Sequence, residues 1–213
     1  MTSSMHPPLL AAERLGVSYG RRVVFEGLSF SYTHGAVALV GPNGTGKSTL
    51  ISLLCGIEPP HSGAIRIAGH DMAGDPRRAK AQLAYVPDDS VAYEFMRGRE
   101  FLAMVDALRG TRDLPRASAL IAGLGLDAYL DMRFDAMSLG TRKKFMLVSG
   151  LMSQAPLVVM DEPTNGIDAD ARQFLIALIR QAAPQRLFFF STHDLELAEA
   201  TGAQRLGLGA AAR

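Results

Sequence analysis

The sequence has little cysteine and little imbalance of charge. Its 213 residues include one cysteine, Cys55, which excludes an intramolecular disulfide and a cysteine-based metal cluster. A lone cysteine fits a reducing compartment, so we expect the protein in the cytoplasm. Lysine and arginine number 22 against 21 acidic residues, for a net charge of +1, which gives no overall electrostatic reason to expect nucleic acid as a partner. Partners must therefore be inferred from local sites.

Long apolar runs, a basic leader and internal repeats are also missing. Crossing a bilayer takes roughly 18 consecutive apolar residues or more, whereas the best runs here, 36–40 and 187–190, have the length of strands. The start of the chain has no basic stretch followed by a long apolar one, so we expect no secretory signal. No heptads or longer repeats occur, which excludes long coiled coils and solenoids. With 48% hydrophobic and 20% charged residues, the composition indicates one or two compact globular lobes.

Four short apolar segments predict a mostly parallel β-sheet. They are 36–40, Leu83–Val86, Leu157–Met160 and 187–190, and they lack the alternation of half-exposed strands. Between the last two, apolar residues recur with helical spacing, and Asp168 is the expected N-cap. This helical stripe comprises Ala171, Phe174, Leu175, Leu178 and Ile179. Strand, helix and strand in succession imply a parallel sheet covered by helices.

Two other regions differ from this pattern. Residues 90–154 contain no convincing strand and show helical spacing, which predicts a helical lobe inserted between two strands of the sheet. The residues with that spacing are Phe101, Met104, Val105 and Leu108, and then Leu120, Ile121 and Leu124. Segments 21–32 and 63–69 alternate partly between apolar and polar residues, which predicts a small antiparallel sheet toward the N-terminus.

A glycine-rich segment between the first predicted parallel strand and an apolar helix matches the phosphate-loop pattern GxxxxGKS. It consists of Gly41, Pro42, Asn43, Gly44, Thr45, Gly46, Lys47, Ser48 and Thr49, called the phosphate loop below. Its glycines let backbone N–H groups converge on an anion, and the helix N-terminus adds positive potential. Lys47 would bridge the β- and γ-phosphates, and Ser48 would bind Mg²⁺. Although a glycine-rich turn with a solvated lysine is the alternative, we expect a nucleoside triphosphate as the ligand.

Acidic and imidazole side chains follow two of the predicted strands. Asp161 and Glu162 come after Leu157–Met160, at the sheet edge where open parallel sheets bind ligands. We expect Asp161 to hold Mg²⁺, directly or through water, and Glu162 to polarise the water that attacks the γ-phosphate. His193 would reach a γ-phosphate oxygen or that water from the neighbouring strand. The alternative for all three is a solvated strand end with a structural histidine.

These residues together resemble the nucleotide-binding domain of ATP-binding cassette (ABC) ATPases over nearly the whole chain. GPNGTGKST is the phosphate loop, LVVMDEPTNGID is similar to the family's Walker B strand and D-loop, and His193 takes the place of its switch histidine. The resemblance implies an α/β P-loop NTPase fold of the RecA-like type, with a mostly parallel core, a small antiparallel β subdomain and an inserted helical subdomain. We expect residues 1–213 to form one cassette, with 1–88 and 155–213 in the core lobe and 89–154 in the helical lobe. ATP and Mg²⁺ are the implied cofactors.

Two more elements of the family are recognisable. Residues 137–142, MSLGTR, resemble its LSGGQ signature, with Ser138 and Gly140 kept. The resemblance implies that they meet the γ-phosphate held by a second copy, so that a homodimer encloses two ATP molecules. Tyr19 sits where the family has an aromatic residue stacked on adenine. Without the resemblance, Ser138 is simply a helix cap, and Arg142, Lys143 and Lys144 form a solvated basic face.

The sequence departs from the family at Asp88. The family usually has a glutamine there, which contacts Mg²⁺; a carboxylate either binds the metal too or points away and leaves coupling to a neighbour. The end of the chain is similar to a shortened version of the family's next strand, so we expect no C-terminal regulatory extension.

The leading hypothesis for function is the ATPase subunit of an ABC transporter. Because the sequence has no membrane span, this hypothesis requires a separate transmembrane permease, which would hold the protein at the inner face of the cell membrane. TNGID and SLGTRKK are more similar to exporter than to importer cassettes. The alternatives are a soluble ABC-type ATPase, a regulatory cassette that binds ATP without hydrolysis, and an unrelated kinase or GTPase, although no guanine-reading NKxD occurs.

Overall fold

The computed structural model of the chain describes residues 7–89, 92–110 and 114–208. The described strands are β1 (Leu10–Tyr19), β2 (Arg22–Tyr32), β3 (Gly35–Val40), β4 (Ser62–Ile67), β5 (His70–Asp71), β6 (Leu83–Val86), β7 (Leu157–Met160), β8 (Leu187–Thr192) and β9 (Gln204–Gly207). The described helices are α1 (Lys47–Leu54), α2 (Pro76–Ala81), α3 (Gly98–Arg109), α4 (Leu114–Gly123), α5 (Leu139–Leu151), α6 (Ala169–Ala182) and α7 (Leu195–Ala200).

Five strands form the predicted parallel sheet, in the order β6–β7–β8–β3–β9. Each neighbouring pair is parallel. Residues of β7 and β8 are buried throughout, since both faces of the sheet are covered. This burial explains why the strands read as unbroken apolar runs, and it confirms the α/β fold class.

The other four strands form the predicted antiparallel sheet, in the order β2–β1–β4–β5. Strand β1 pairs with both β2 and β4, with register shifts near Arg14. Arg14 has a φ of 48°, the left-handed backbone typical of such an irregularity. The partial alternation in the sequence arises because one face of this sheet packs on the core and the other is exposed.

Alternate residues of the parallel sheet enter two separate hydrophobic cores. Phe188 and Phe190 of β8 belong to the core that also contains α5 and α6, whereas Phe189 belongs to the core beneath α1 and the antiparallel sheet. The same alternation separates Ala38 from Leu39 in β3. The parallel sheet therefore lies between two layers, and its strand ends are free to build a site.

Helices α3, α4 and α5 lie between β6 and β7 in the chain, in the region expected to be helical. Phe101, Leu120 and Leu124 are buried as their spacing predicts. Leu108 is an exception, since 79% of its surface is exposed near the end of α3. The stripe on α6 is confirmed, and Asp168 caps this helix by accepting the N–H of Ala171 at 2.9 Å.

Among the described residues, no helix has the length and apolarity that membrane crossing requires. The carboxyl ends of β3, β7 and β8 meet at one edge of the parallel sheet, because Val40 pairs with Thr192 and Met160 pairs with Phe190. The phosphate loop, Asp161 and His193 follow these ends directly. The topology thus brings three separate sequence segments to one place.

Candidate functional site

The phosphate loop connects β3 to α1 at the carboxyl edge of the sheet. Gly46 has a φ of 98°, and a Cβ there would overlap Val24, so a glycine is required on both counts. Gly46 is also the N-cap of α1 and offers no side-chain hydrogen bond to the first turn. The N–H groups of that turn are therefore available to an anionic ligand.

Lys47 lies at the centre of this edge and is only 6% exposed. Its Nζ donates to the carbonyl oxygens of Gly41 and Pro42 at 2.7 and 3.3 Å. The same nitrogen lies 3.7 Å from Glu162 Oε1. Gly41 and Pro42 thus orient the lysine, while Thr45 Oγ1 donates to Pro42 and fixes the turn.

Glu162 is held in an uncommon backbone conformation, with a φ of 42°. Its N–H donates to Ser191 Oγ at 2.9 Å, and the Ser191 hydroxyl donates to Asp161 Oδ1. The Glu162 carboxylate lies 3.0 Å from His193 Nδ1. Left-handed backbone at a non-glycine residue costs on the order of 1–3 kcal/mol, and such residues cluster at functional sites.

A cavity of about 530 Å³ opens at this edge, within the range typical of ligand sites. We call it the edge cavity. Ten residues predicted from the sequence line it: Tyr19, Asn43, Gly44, Gly46, Lys47, Ser48, Thr49, Asp88, Glu162 and His193. Gly41, Pro42, Thr45 and Asp161 lie behind this lining and position it through the bonds given above.

Tyr19 lies at the rim of the edge cavity, 51% exposed. Its hydroxyl donates to Glu58 Oε2 at 2.8 Å, and this hydrogen bond raises the pKa of Tyr19. Arg22, which the sequence analysis missed, also lines the cavity and donates to the Gly44 carbonyl at 2.6 Å. Arg22 follows Tyr19 closely, so the turn between β1 and β2 supplies both.

Asp88 lines the edge cavity and is held by two groups that the sequence analysis missed. Its Oδ1 lies 3.2 Å from Lys143 Nζ and 3.4 Å from Asn165 Nδ2. Asn165 also lines the cavity. Asn165 belongs to the TNGID segment, residues 164–168. The position of this segment just after Glu162 is the signal that could have identified Asn165.

The interpretation of residues 142–144 as a solvated basic face is wrong. Lys143 and Lys144 are 4% and 9% exposed. Burial lowers the pKa of Lys143, an effect that the nearby Asp88 carboxylate opposes. Lys144 is paired with Asp168 Oδ2 at 2.9 Å. The signal was present in the sequence, since α5 continues with the apolar run FMLV directly after these lysines.

Ser138 and Gly140 lie at the N-terminus of α5 and do not line the edge cavity of their own chain. Ser138 Oγ accepts the N–H of Thr141 at 3.1 Å and lies 2.9 Å from its hydroxyl. A Cβ on Gly140 would overlap the carbonyl oxygen of Gly166, so α5 and the TNGID segment pack backbone to backbone. Leu139 between them is 81% exposed.

The edge cavity offers few side chains that could bind a Mg²⁺ ion. No group of three His, Cys, Asp or Glu side chains among residues 7–89, 92–110 and 114–208 is arranged to hold a metal ion. Mg²⁺ usually binds through one or two protein ligands together with substrate phosphates and water. Ser48 and Asp88 in the lining, with Asp161 behind it, correspond to that pattern.

Comparisons with known proteins agree with this geometry. A protein-family model described as "ABC transporter" matches residues 25–165 of the chain. The linearmycin resistance ATP-binding protein LnrL of Bacillus subtilis (strain 168) is 29% identical over 196 residues, covering 90% of this chain and 63% of that protein. Nod factor export ATP-binding protein I of Ralstonia nicotianae is 31% identical over 202 residues, covering 90% of this chain and 61% of the relative.

A solved structure titled "Structure of ATP binding subunit of ABC transporter" superposes with a TM-score of 0.81 at 31% identity. The superposition covers 90% of this chain and 82% of that chain. The chain spans about three fifths of the length of the two relatives named above. The residues that the family model matches include the phosphate loop, Asp161 and Glu162.

Proposed function

Because the chain belongs to the ABC transporter family, we propose that it binds Mg·ATP and is the ATP-hydrolysing subunit of a transporter. The observation that carries this proposal is the convergence of α1, Lys47, Glu162 and His193 on one cavity of about 530 Å³. Similarity to proteins named as ATP-binding subunits supports the choice of nucleotide.

The phosphate loop would bind the triphosphate through its backbone N–H groups. The Lys47 ammonium lies at the carbonyl oxygens of the phosphate loop, close to Glu162. It would donate hydrogen bonds to the β- and γ-phosphates. Ser48 and Asp88 would bind Mg²⁺, with Asp161 acting from behind through water. When bound, the ion neutralises charge that develops on the phosphates.

Glu162 would act as the general base for the attacking water. Its carboxylate contacts both Lys47 and His193, at 3.7 and 3.0 Å, so it lies between the phosphate-binding cation and an exposed imidazole. The Ser191 hydroxyl holds the backbone N–H of this glutamate at 2.9 Å. His193, 62% exposed at its side chain, would hold the water or a γ-phosphate oxygen from the open side.

A second copy of the chain would complete the site. Ser138 is exposed at a helix N-terminus, yet it does not line its own edge cavity. A hydroxyl and N–H groups at such an end suit an anion brought by another molecule. We therefore propose a homodimer in which each signature segment covers the ATP of the other copy.

A transmembrane subunit would bind on the helical side of the molecule. Tyr93 and Phe95, which follow Asp88 closely in sequence, are 61% and 66% exposed, and their rings stack at 5.6 Å. Exposed aromatic pairs are typical of protein interfaces. Relatives named for export and resistance support an exporter at the inner face of the cell membrane over a soluble ATPase.

The test is hydrolysis of Mg·ATP by the purified chain as its concentration is varied. We expect turnover per chain to rise with protein concentration, because dimers form the active sites. Glu162→Gln should lower turnover roughly 100-fold or more while a dimer accumulates with ATP, measured by light scattering.

The matched control is Glu196→Gln, because this glutamate lies close to His193 in sequence but is 87% exposed at its side chain. It should hydrolyse ATP at the rate of the unmodified protein. Absence of Mg·ATP binding, or turnover that is independent of protein concentration, would contradict the proposal.

A further inference from the structure

The ammonium of Lys143 joins three parts of the chain beneath the edge cavity. Its Nζ lies 2.9 Å from the carbonyl oxygen of Pro87, 3.1 Å from that of Asp88 and 2.9 Å from that of Asp161. The fourth contact, at 3.2 Å, is Asp88 Oδ1. One side chain on α5 thus holds both the segment after β6 and the end of β7.

These contacts account for the burial of a full charge. A lysine ammonium has three donors and no acceptor, and here oxygen atoms surround it on the protein side. Removing one partner of a buried, hydrogen-bonded charge is strongly unfavourable, so the position of each acceptor depends on the lysine. Gly150, further along α5, packs so closely on β6 that a Cβ there would overlap Val86. This close packing fixes the position of α5 against the strand.

Asp88 is the acceptor that connects this arrangement to the ligand. It lines the edge cavity, and its side chain is 43% exposed. Its Oδ1 is held by Lys143 from behind and by Asn165 from the side. Lys143 of α5 and Asn165 therefore both orient the carboxylate.

We propose that Lys143 is a positioning residue that directs the Asp88 carboxylate toward the part of the edge cavity where Mg²⁺ would bind. Lys143 also links this part of the cavity to the signature helix α5. This inference rests on the proposed function, since it concerns how Mg·ATP is held. The lysine ammonium also offsets the negative charge of the Asp88 carboxylate, 3.2 Å away.

The neighbouring Lys144 provides a matched control. It is also buried and paired with an aspartate, but its partner Asp168 caps α6, away from the edge cavity. Lys143→Met and Lys144→Met remove the same charge from adjacent positions of one helix. Only the first change should affect the metal.

The experiment measures the Mg²⁺ concentration that gives half-maximal ATP hydrolysis. Lys143→Met should raise it roughly fivefold or more, and the affinity for a fluorescent ATP analogue in EDTA should stay within about twofold. Asp88→Asn should raise the Mg²⁺ requirement similarly, and the double variant should show no further increase, because the two residues act as one unit. Lys144→Met should keep the original requirement, even if its melting temperature falls.

A second measurement needs no nucleotide. Hydrogen exchange of the amides in 83–89 should accelerate in Lys143→Met and in Asp88→Asn, whereas Lys144→Met should leave it unchanged. Asp88→Asn tests the contact from its partly exposed side if Lys143→Met fails to fold. Independent effects in the double variant, an equal shift in Lys144→Met, or unchanged exchange would overturn the inference. If the unmodified protein binds no Mg·ATP, the proposed function fails, and the exchange experiment still decides whether Lys143 holds Asp88.

Discussion

The N-termini of α1 and α5 present the same chemistry in opposite ways. Helix α1 begins at Gly46, which gives no side-chain cap, and its first turn faces the edge cavity beside Lys47 and Glu162. Helix α5 begins at Ser138, whose hydroxyl already accepts the N–H of Thr141. The end of α5 faces outward, with Leu139 81% exposed.

Under the proposed function, the difference decides which chain supplies the anion to each helix N-terminus. The N-terminus of α1 leaves its N–H groups for a ligand in the edge cavity of the same chain. Neighbouring strands supply the rest of that site. The N-terminus of α5 has a side-chain cap from Ser138, and among the described residues it lies outside the lining of the edge cavity. In the proposed dimer, each chain carries a nearly complete ATP site. Each chain also supplies the signature segment that covers the ATP of the other copy.

The largest effect should follow from Lys47→Met, which removes the cation beside α1. We expect the affinity for Mg·ATP to fall by about 3 kcal/mol, which is a loss of roughly 100-fold. Fluorescence titration with an ATP analogue measures it. Lys80→Met, a change of an exposed lysine bonded to the Gly56 carbonyl, is the control and should bind normally.

Ser138→Ala should separate binding from turnover at α5. A single chain should bind ATP within about twofold of the original affinity, whereas turnover should fall roughly tenfold or more because an anion-binding donor of the second copy is lost. Equilibrium titration and phosphate release measure the two quantities. Equal losses of binding and turnover would contradict the contrast between the helices.

Mixing the two variants sharpens the same comparison. A mixed dimer of Lys47→Met and Ser138→Ala chains contains one site with both residues intact. Turnover of the mixture should therefore exceed that of either variant alone at the same total concentration. No gain on mixing would indicate that Ser138 acts within its own chain.

Tyr19→Ala should have a smaller effect at the rim of the edge cavity. Loss of a stacked aromatic ring weakens base binding by about 1–3 kcal/mol, and competition between ATP and inorganic triphosphate measures it. Tyr19→Phe keeps the ring and removes only the hydrogen bond to Glu58, so its affinity should stay near the original. An equal loss in both variants would assign the effect to the hydroxyl.

The smallest effect on nucleotide binding should come from the N-terminus of α6, whose role is structural only. Hydrogen bonding to the N–H of Ala171, and then to Lys144, lowers the pKa of Asp168. Asp168→Ala should cost about 1 kcal/mol of unfolding free energy at pH 7 through the lost cap, and a further amount because the buried Lys144 loses its partner; urea denaturation measures the total. Because the folded pKa is depressed, the contribution of Asp168 is present above its unfolded pKa, near 4, and is lost as the pH falls through its folded pKa.

Asp168→Asn is the control for that experiment, since it keeps a capping oxygen without the titration. Its stability relative to the unmodified protein should improve as the solution becomes acidic. Neither variant should alter nucleotide affinity. A change in affinity would mean that α6 takes part in the site after all.

Much of the fold was predictable because it depends on local patterns. Strands β6 and β7 have the predicted bounds, and α6 begins after its predicted cap. Apolar runs of strand length and helical spacing arise directly from burial on two faces or on one. The phosphate loop was equally recognisable, because its function depends on consecutive backbone groups.

The contacts of Asp88 were not predictable in the same way. Lys143 Nζ reaches Asp88 across 55 positions of sequence, and Asn165 reaches it across 77. Such contacts depend on how α5 packs against β6, which no local pattern contains. The burial of Lys143 was nevertheless implied by the apolar residues that follow it, which suggests treating lysines within fully apolar helices as structural.

The left-handed backbone of Glu162 also bears on efforts to make this protein more heat-resistant. Glycine tolerates a φ of 42° freely, so a screen that rewards thermal survival alone would favour glycine at this position. The variants it selected would lack the carboxylate proposed to drive turnover. Under the proposed function, thermal stability and catalysis impose conflicting demands on Glu162, so selection for stability needs an assay for ATP turnover.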